Sequence, residues 1–386
     1  MKKIWAFPLA LAIFACNSGE QNQKMEIKEY PETAKVDTVD TYFGTDVPDP
    51  YRWLEDDRSE QTAEWVKAQN EVTFGYLNNI PFRDKIETRL TELWNYTKES
   101  APRKHGDYYY TYKNDGLQNQ WVVYRKKGLD GEESVFLDPN TFSDDATTSL
   151  AGTSFTKDGS LLAYSISEGG SDWRKVIVMN TKDKSIVEDT IRNVKFSGIS
   201  WKGNEGFFYS SYDKPEGSEL SAKTQEHKLY YHKLNTPQSE DELVFGGSET
   251  PRRYIGGYVS DDEKFLFISA SESTSGNELY VKNLSDWSNP IVPIAEGFDS
   301  EHSVLDNDGD RLLIETNLNA PNKRLVEVDA KNPSTENYKD VIPETENVLN
   351  VSTAGGYIFA NYMVDVKTEI HQFDYEGNKV RQVELP

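Results

Sequence analysis

"TKDGSLLAYSIS" (Thr156–Ser167), "SDDEKFLFISAS" (Ser260–Ser271) and "DNDGDRLLIETN" (Asp306–Asn317) are three versions of one pattern. Each is a polar turn leading into a strand whose apolar residues alternate. Looser versions follow at "KGNEGFFYSSY" (Lys202–Tyr212) and "GGYIFANYM" (Gly355–Met363). With Asp107, Asp158, Asn204, Asp262, Asp308 and Gly355 as marks, the intervals are 51, 46, 58, 46 and 47 residues. The long interval contains "YDKPEGSELSAKTQEH", which reads as an inserted loop.

Further strands follow the turns at matching offsets, in "KVIVMNTK", "KLYYHKLN", "NELYVKNL" and "HQFDYEGNK". A β-repeat near fifty residues is the size of a four-stranded propeller blade. No blade buries both of its faces alone, so blades stack around an axis. Six units are counted. A β-sandwich fits poorly with so regular a spacing, and a β-helix repeat is much shorter. The first unit shows "DYYYTYKN" and "QWVVYRKK" as two strands with a turn near Asp115–Gly116.

Upstream the period changes. Ser59 suits the N-cap of a helix running to about Asn78, with Trp65, Val72 and Tyr76 near one face. Pro81 suits the first turn of a second helix, where Phe82, Ile86, Leu90, Leu93 and Trp94 make an apolar stripe. Both stripes read as packing surface. Before the first helix lies "VPDPYRWLED" (Val47–Asp56), too proline-rich for a helix interior or a central strand. The acids Glu55–Asp57 stand just before the helix start, where the helix dipole favours them over a role as metal ligands.

The chain has 386 residues, with 22 Tyr, 17 Phe, 8 Trp and 25 Gly, a β-like composition. Its net charge of −23 argues against a nucleic-acid partner, since phosphate binding needs clustered Lys and Arg. The N-terminus, "MKKIWAFPLALAIFAC", is two lysines, an apolar run over 4–15 and Cys16. The run is too short to span a bilayer and reads as an export signal. "IFAC" resembles a bacterial lipobox, which makes Cys16, the only cysteine, a lipidation site. The expected organisation is a signal peptide over 1–15, a tether over 16–29, an N-terminal segment with two helices over 30–98, and an incomplete propeller over 99–386. The expected location is the bacterial cell envelope, on the periplasmic side, held to the membrane by the lipid alone.

Motifs of catalysis are sparse. There is no G-x-S-x-G, H-E-x-x-H, Walker or G-x-G-x-x-G sequence. The histidines (His105, His227, His232, His302, His371) are scattered, with none at metal-ligand spacing. Asp306, Asp308, Gly309 and Glu315 fall at positions 3, 5, 6 and 12 of a calcium loop, but Val304 at position 1 cannot ligate. The same residues match the repeated blade turn. No metal or other cofactor is expected.

Five strings carry a resemblance to a known family: "YPET" at Tyr30, "VDTYFGTDVPDPYRWLED" (Val39–Asp56), "FLDPN" at Phe136, "GGSDWRKVIV" from Gly169 and "HKLYYHKLNTPQSEDELVF" from His227. They resemble the prolyl oligopeptidases, serine peptidases that cleave short peptides after proline. The resemblance runs from about residue 26 to the end of the chain. It implies a seven-bladed propeller inserted after a helical N-terminal segment, then an α/β-hydrolase domain that carries the catalytic Ser, Asp and His. The chain stops at "RQVELP", before the region where the seventh blade and that domain are expected. No catalytic residue therefore carries over, and this chain alone is expected to be inactive. The propeller is expected to limit access to short proline-containing peptides. Val178, in the strand after "GSDW", matches the position of a pocket aromatic. Tyr51, Trp53 and Leu54 are expected to face the hydrolase domain. A rival reading is a non-catalytic envelope propeller that binds peptides or a protein partner.

Overall fold

The computed structural model describes residues 29–213 and 224–385. Cys16, the export signal and most of the tether lie outside them, as does the centre of the inserted loop. The chain divides after Leu93 into two compact units.

In the first unit, Ser59 accepts a hydrogen bond from the Thr62 amide and caps α1, Glu60–Leu77. The second helix, α2, spans Arg83–Trp94, so Pro81 stands just outside it. The "VPDPYRWLED" segment holds a short 3-10 turn, Arg52–Glu55. Arg52 pairs with Asp40 and with Asp49 at 2.7 Å, and the Trp53 indole donates to the Ala34 carbonyl at 2.8 Å. Trp53 and Leu54 are half-buried, while Tyr51 is exposed. The stripe on α2 is helical as expected, yet it is left largely exposed. Phe82, Ile86, Leu90, Leu93 and Trp94 are all at least half exposed.

Among the described residues the second unit holds six blades. Blade 1 pairs Tyr108–Asn114, Val122–Lys127 and Glu133–Leu137, with the short strands Lys98–Glu99 and Arg103–His105 both against the first of these. Pairing therefore already begins at Lys98. Blades 4, 5 and 6 are four-stranded antiparallel sheets starting at Tyr254, His302 and Leu349. Blades 2 and 3 form one seven-stranded sheet because they share a strand, Ile191–Lys202. Its first half pairs with Trp173–Asn180 and its second half with Gly206–Ser211.

Period-2 alternation decides the packing, because successive side chains of a strand point to opposite faces. In blade 3, Phe207 packs toward blade 2 and Phe208 toward blade 4. In blade 4, Leu266 and Ile268 face blade 3, whereas Phe265 and Phe267 face blade 5. In blade 5, Leu312 and Ile314 face blade 4, and Leu313 faces blade 6. Each junction between neighbouring blades thus has its own hydrophobic cluster.

The repeated turn is stapled by its own aspartate. Asp158 accepts from the Thr156 hydroxyl at 2.7 Å, the Ser160 amide at 2.9 Å and the Ser160 hydroxyl at 2.8 Å. Its second oxygen accepts from Asn204 of the next blade at 2.8 Å, and Asn307 reaches Asp262 in the same way at 2.8 Å. Gly159 and Gly106 meet back to back, where a Cβ on either would overlap backbone. Asp306 accepts from the Tyr375 hydroxyl. Among the described residues no group of three or more His, Cys, Asp or Glu side chains is placed to hold a metal.

Candidate functional site

The shared strand reads I-R-N-V-K-F-S-G-I-S-W-K, and its middle must leave one sheet and enter the next. It does so at a kink where Asn193 and Phe196 adopt φ of 57° and 52°. Left-handed backbone is unfavourable for a bulky residue and, where it occurs, tends to mark a functional site. The kink throws the Phe196 ring outward to 44% exposure.

Phe196 does not stand alone. Its ring meets Tyr212 edge-on at 6.3 Å and Tyr254 at 5.7 Å. Trp173 meets Tyr212 at 6.4 Å. The Lys195 ammonium lies 4.9 Å from the Trp173 ring and 5.1 Å from the Phe196 ring. Blades 2, 3 and 4 thus contribute to one aromatic cluster with a cation across it, in which Trp173 and Tyr212 are buried and the Phe196 and Tyr254 rings are exposed. Such rings offer wide apolar faces with polar tips, suited to stacking on a flat side chain or a pyrrolidine ring.

Tyr254 pairs with Ser271, so the loop after Ser271 rises at the same end of the propeller. A groove of about 330 Å³ lies there, lined among others by Ser273, Ser275, Asn277, His302 and Lys323. Asn277 fixes its floor by exchanging two hydrogen bonds with the His302 backbone, at 2.8 and 3.0 Å. Burial pushes His302 down to about 4, so its ring is neutral. Lys323 is held by Glu315 at 3.0 Å and Glu301 at 3.5 Å. Gly276 has φ of 73°, and a Cβ there would stand 1.8 Å from the Phe298 carbonyl oxygen.

Val178 sits elsewhere. It is 1% exposed, inside the cluster between blades 2 and 3, where it contributes packing and offers no surface to a peptide. The aromatic presented after "GSDW" is Phe196, in the next strand. Composition gives no hint of this, because its exposure depends on a backbone kink. The only local signal is the break in alternation at Ser197–Gly198.

A second constellation lies between blades 2 and 3, fully enclosed. His232 is 0% exposed, with Nδ1 at 2.6 Å from Asp241 and Nε2 at 3.2 Å from Glu188. The Tyr209 hydroxyl donates to the other Asp241 oxygen at 2.6 Å. Burial opposes a charge on His232, but the Asp241 and Glu188 carboxylates, as acceptors and as opposite charges, prevail and push it up to about 9. The imidazolium faces no open space, so this is a fastening rather than a reaction site. It explains part of the unusual "YYHKLNTPQSED" string.

Known proteins match this arrangement. The family described as "Prolyl oligopeptidase, N-terminal beta-propeller domain" matches residues 31–386. A prolyl endopeptidase of Elizabethkingia meningoseptica is 54% identical, over 98% of this chain and 53% of its own length. Prolyl oligopeptidase A of Amanita bisporigera is 35% identical, over 82% of this chain and 46% of its own. A solved structure of prolyl oligopeptidase B from Galerina marginata, bound to a 35mer hydrolysis and macrocyclization substrate, superposes with a TM-score of 0.78 at 30% identity. That match covers 92% of this chain and 53% of the other. The chain spans about half the length of the curated relatives it matches. Six blades, their five packed junctions and these likenesses place the chain in the prolyl oligopeptidase family, through its N-terminal β-propeller domain.

Proposed function

We propose that this chain is the substrate-selecting part of a serine endopeptidase that cleaves short peptides after proline. The Ser-His-Asp machinery of acyl transfer belongs, on this reading, to a hydrolase domain in the half of the relatives' length that this chain does not span. The propeller limits entry to short peptides, and the aromatic surface around Phe196 receives the residues before the proline. The observation that carries the reading is the outward Phe196 ring at the kink, in a chain 54% identical over 379 residues to a prolyl endopeptidase. Tyr51 and the apolar stripe of α2 are the surfaces proposed to meet the hydrolase domain, since burying large apolar side chains drives such docking.

The test is titration of the chain with an acetylated, amidated Phe-Gly-Pro peptide, followed by NMR. The expected result is binding by wild type and its loss in Phe196→Ala. Equal binding by both proteins sinks the assigned role of the aromatic surface. The chain alone is also expected to leave a proline p-nitroanilide peptide uncleaved. Turnover that a serine-directed inhibitor stops would overturn the placement of the catalytic residues. Export and anchoring through Cys16 are proposed with it. Labelled palmitate should enter the wild-type chain in a bacterial host and not Cys16→Ser.

A further inference from the structure

His227 directly precedes the blade 3 strand Lys228–Lys233 and is completely buried. Its two ring nitrogens do different jobs. Nδ1 lies 2.8 Å from the Ile255 amide of blade 4, which can only donate. Nδ1 must therefore be bare, and Nε2 carries the proton. Nε2 lies 3.0 Å from the Lys195 carbonyl, so it donates there. Burial pushes His227 below its ordinary value, which agrees with a neutral ring. The nearby charges are engaged elsewhere: Lys228 pairs with Asp213, Arg253 with Glu278, and Lys195 lies over two rings.

Lys195 is the residue before Phe196. The Tyr212 ring lies on the His227 ring at 4.5 Å, and Tyr254 meets His227 edge-on at 6.3 Å. One imidazole thus touches the backbone of the kink and both aromatic neighbours of Phe196. Its shape suits the task, with a donor and an acceptor fixed on one rigid ring. We infer that His227 is a positioning residue: its Nε2–H grips the Lys195 carbonyl and so holds Phe196 in the left-handed conformation that presents its ring. The link to substrate rests on the role proposed above for the aromatic surface. The link to Phe196 does not.

Two substitutions separate the arms. His227→Gln can place an amide donor near Nε2 and keep the Lys195 bond. His227→Asn places an oxygen near Nδ1 and keeps only the Ile255 bond. Each variant loses one arm, so both should melt at similar temperatures. The readout is the amide–Hα coupling and chemical shift of Phe196 in chain labelled at phenylalanine. His227→Gln should keep the wild-type signature of positive φ, and His227→Asn should lose it. For the Phe-Gly-Pro peptide, His227→Asn should bind about fivefold more weakly, the scale of one lost hydrogen bond, and His227→Gln near wild type. In ¹⁵N spectra of the wild type, His227 should carry its proton on Nε2.

A proton on Nδ1, or a Phe196 signature alike in both variants, overturns the inference. If His227→Asn releases Phe196 while Phe196→Ala leaves peptide binding unchanged, the inference stands and the peptide role falls. If Phe196→Ala weakens binding while His227→Asn leaves Phe196 in place, the inference falls and the peptide role stands.

Discussion

The buried His232 predicts a specific dependence of stability on pH. The ring sits between Asp241 at 2.6 Å and Glu188 at 3.2 Å, with their side chains 2% and 5% exposed. Its ordinary value of 6.5 is raised to about 9 in the folded chain. That difference is worth about 3 kcal/mol, at 1.36 kcal/mol for each tenfold change. The sign follows from the direction. A raised value means that the folded state holds the proton more tightly than the unfolded chain does. The stabilisation is complete below 6.5 and is lost as pH rises through about 9. Urea unfolding of wild type and His232→Gln, from about pH 6 to about pH 9.5, isolates this contribution from other alkaline titrations. At the acid end the variant should be less stable by about 3–5 kcal/mol, because it leaves two buried carboxylates without their cation. Toward alkaline pH the gap should shrink by about 3 kcal/mol, with little effect of added salt on a site so enclosed. A gap that stays constant across the range refutes the reasoning, and means that His232 is neutral in the folded chain.

Other outcomes follow from single contacts. Ser59→Ala removes the oxygen that accepts from Thr62 at 3.1 Å and should cost about 1 kcal/mol in thermal unfolding of the helical unit. Asp158→Ala strips the acceptor from four donors and should cost about 2 kcal/mol, while Asn204→Ala costs less; equal losses would contradict the stapling role of the aspartate. Burial alone would raise the Asp158 carboxyl, but the Ser160 amide, Asn204 and Thr156 hold it well below the usual range. Its contribution is therefore present above 3.8 and fades as pH falls below that, which acid titration of wild type against Asp158→Asn should show. Gly276→Ala should sharply lower the melting temperature, because a Cβ would overlap the Phe298 carbonyl; an unchanged melt would show that the loop yields freely.

The architecture was legible where its causes are local. A blade turn such as Thr156–Leu161 makes its hydrogen bonds within six residues, so the polar signature repeats visibly. The alternation of Leu312, Leu313 and Ile314 gives both faces of a blade in three letters. The Ser59 cap is likewise written in adjacent residues. The candidate site was not legible, because its members meet only in the fold. Phe196, Tyr212, His227 and Tyr254 belong to three blades, and a left-handed residue leaves no mark in composition. Val178 was placed by its match to a pocket aromatic after "GSDW", but a matching position does not say which face of the strand meets another blade, and here that face is the packed one. The α2 stripe shows the opposite failure. Its period was correct, yet its side chains stay half exposed or more.

The strand Ile191–Lys202 has a consequence for how the gene can be re-cut. Between the other neighbouring blades the sheet ladders end before the connection begins, so new termini there would sever a loop and no ladder. Within 191–202 the same cut would break ladders in two blades at once. As a unit of rearrangement, this stretch of chain is therefore a double blade. Circular permutants and blade swaps should succeed around it and fail inside it.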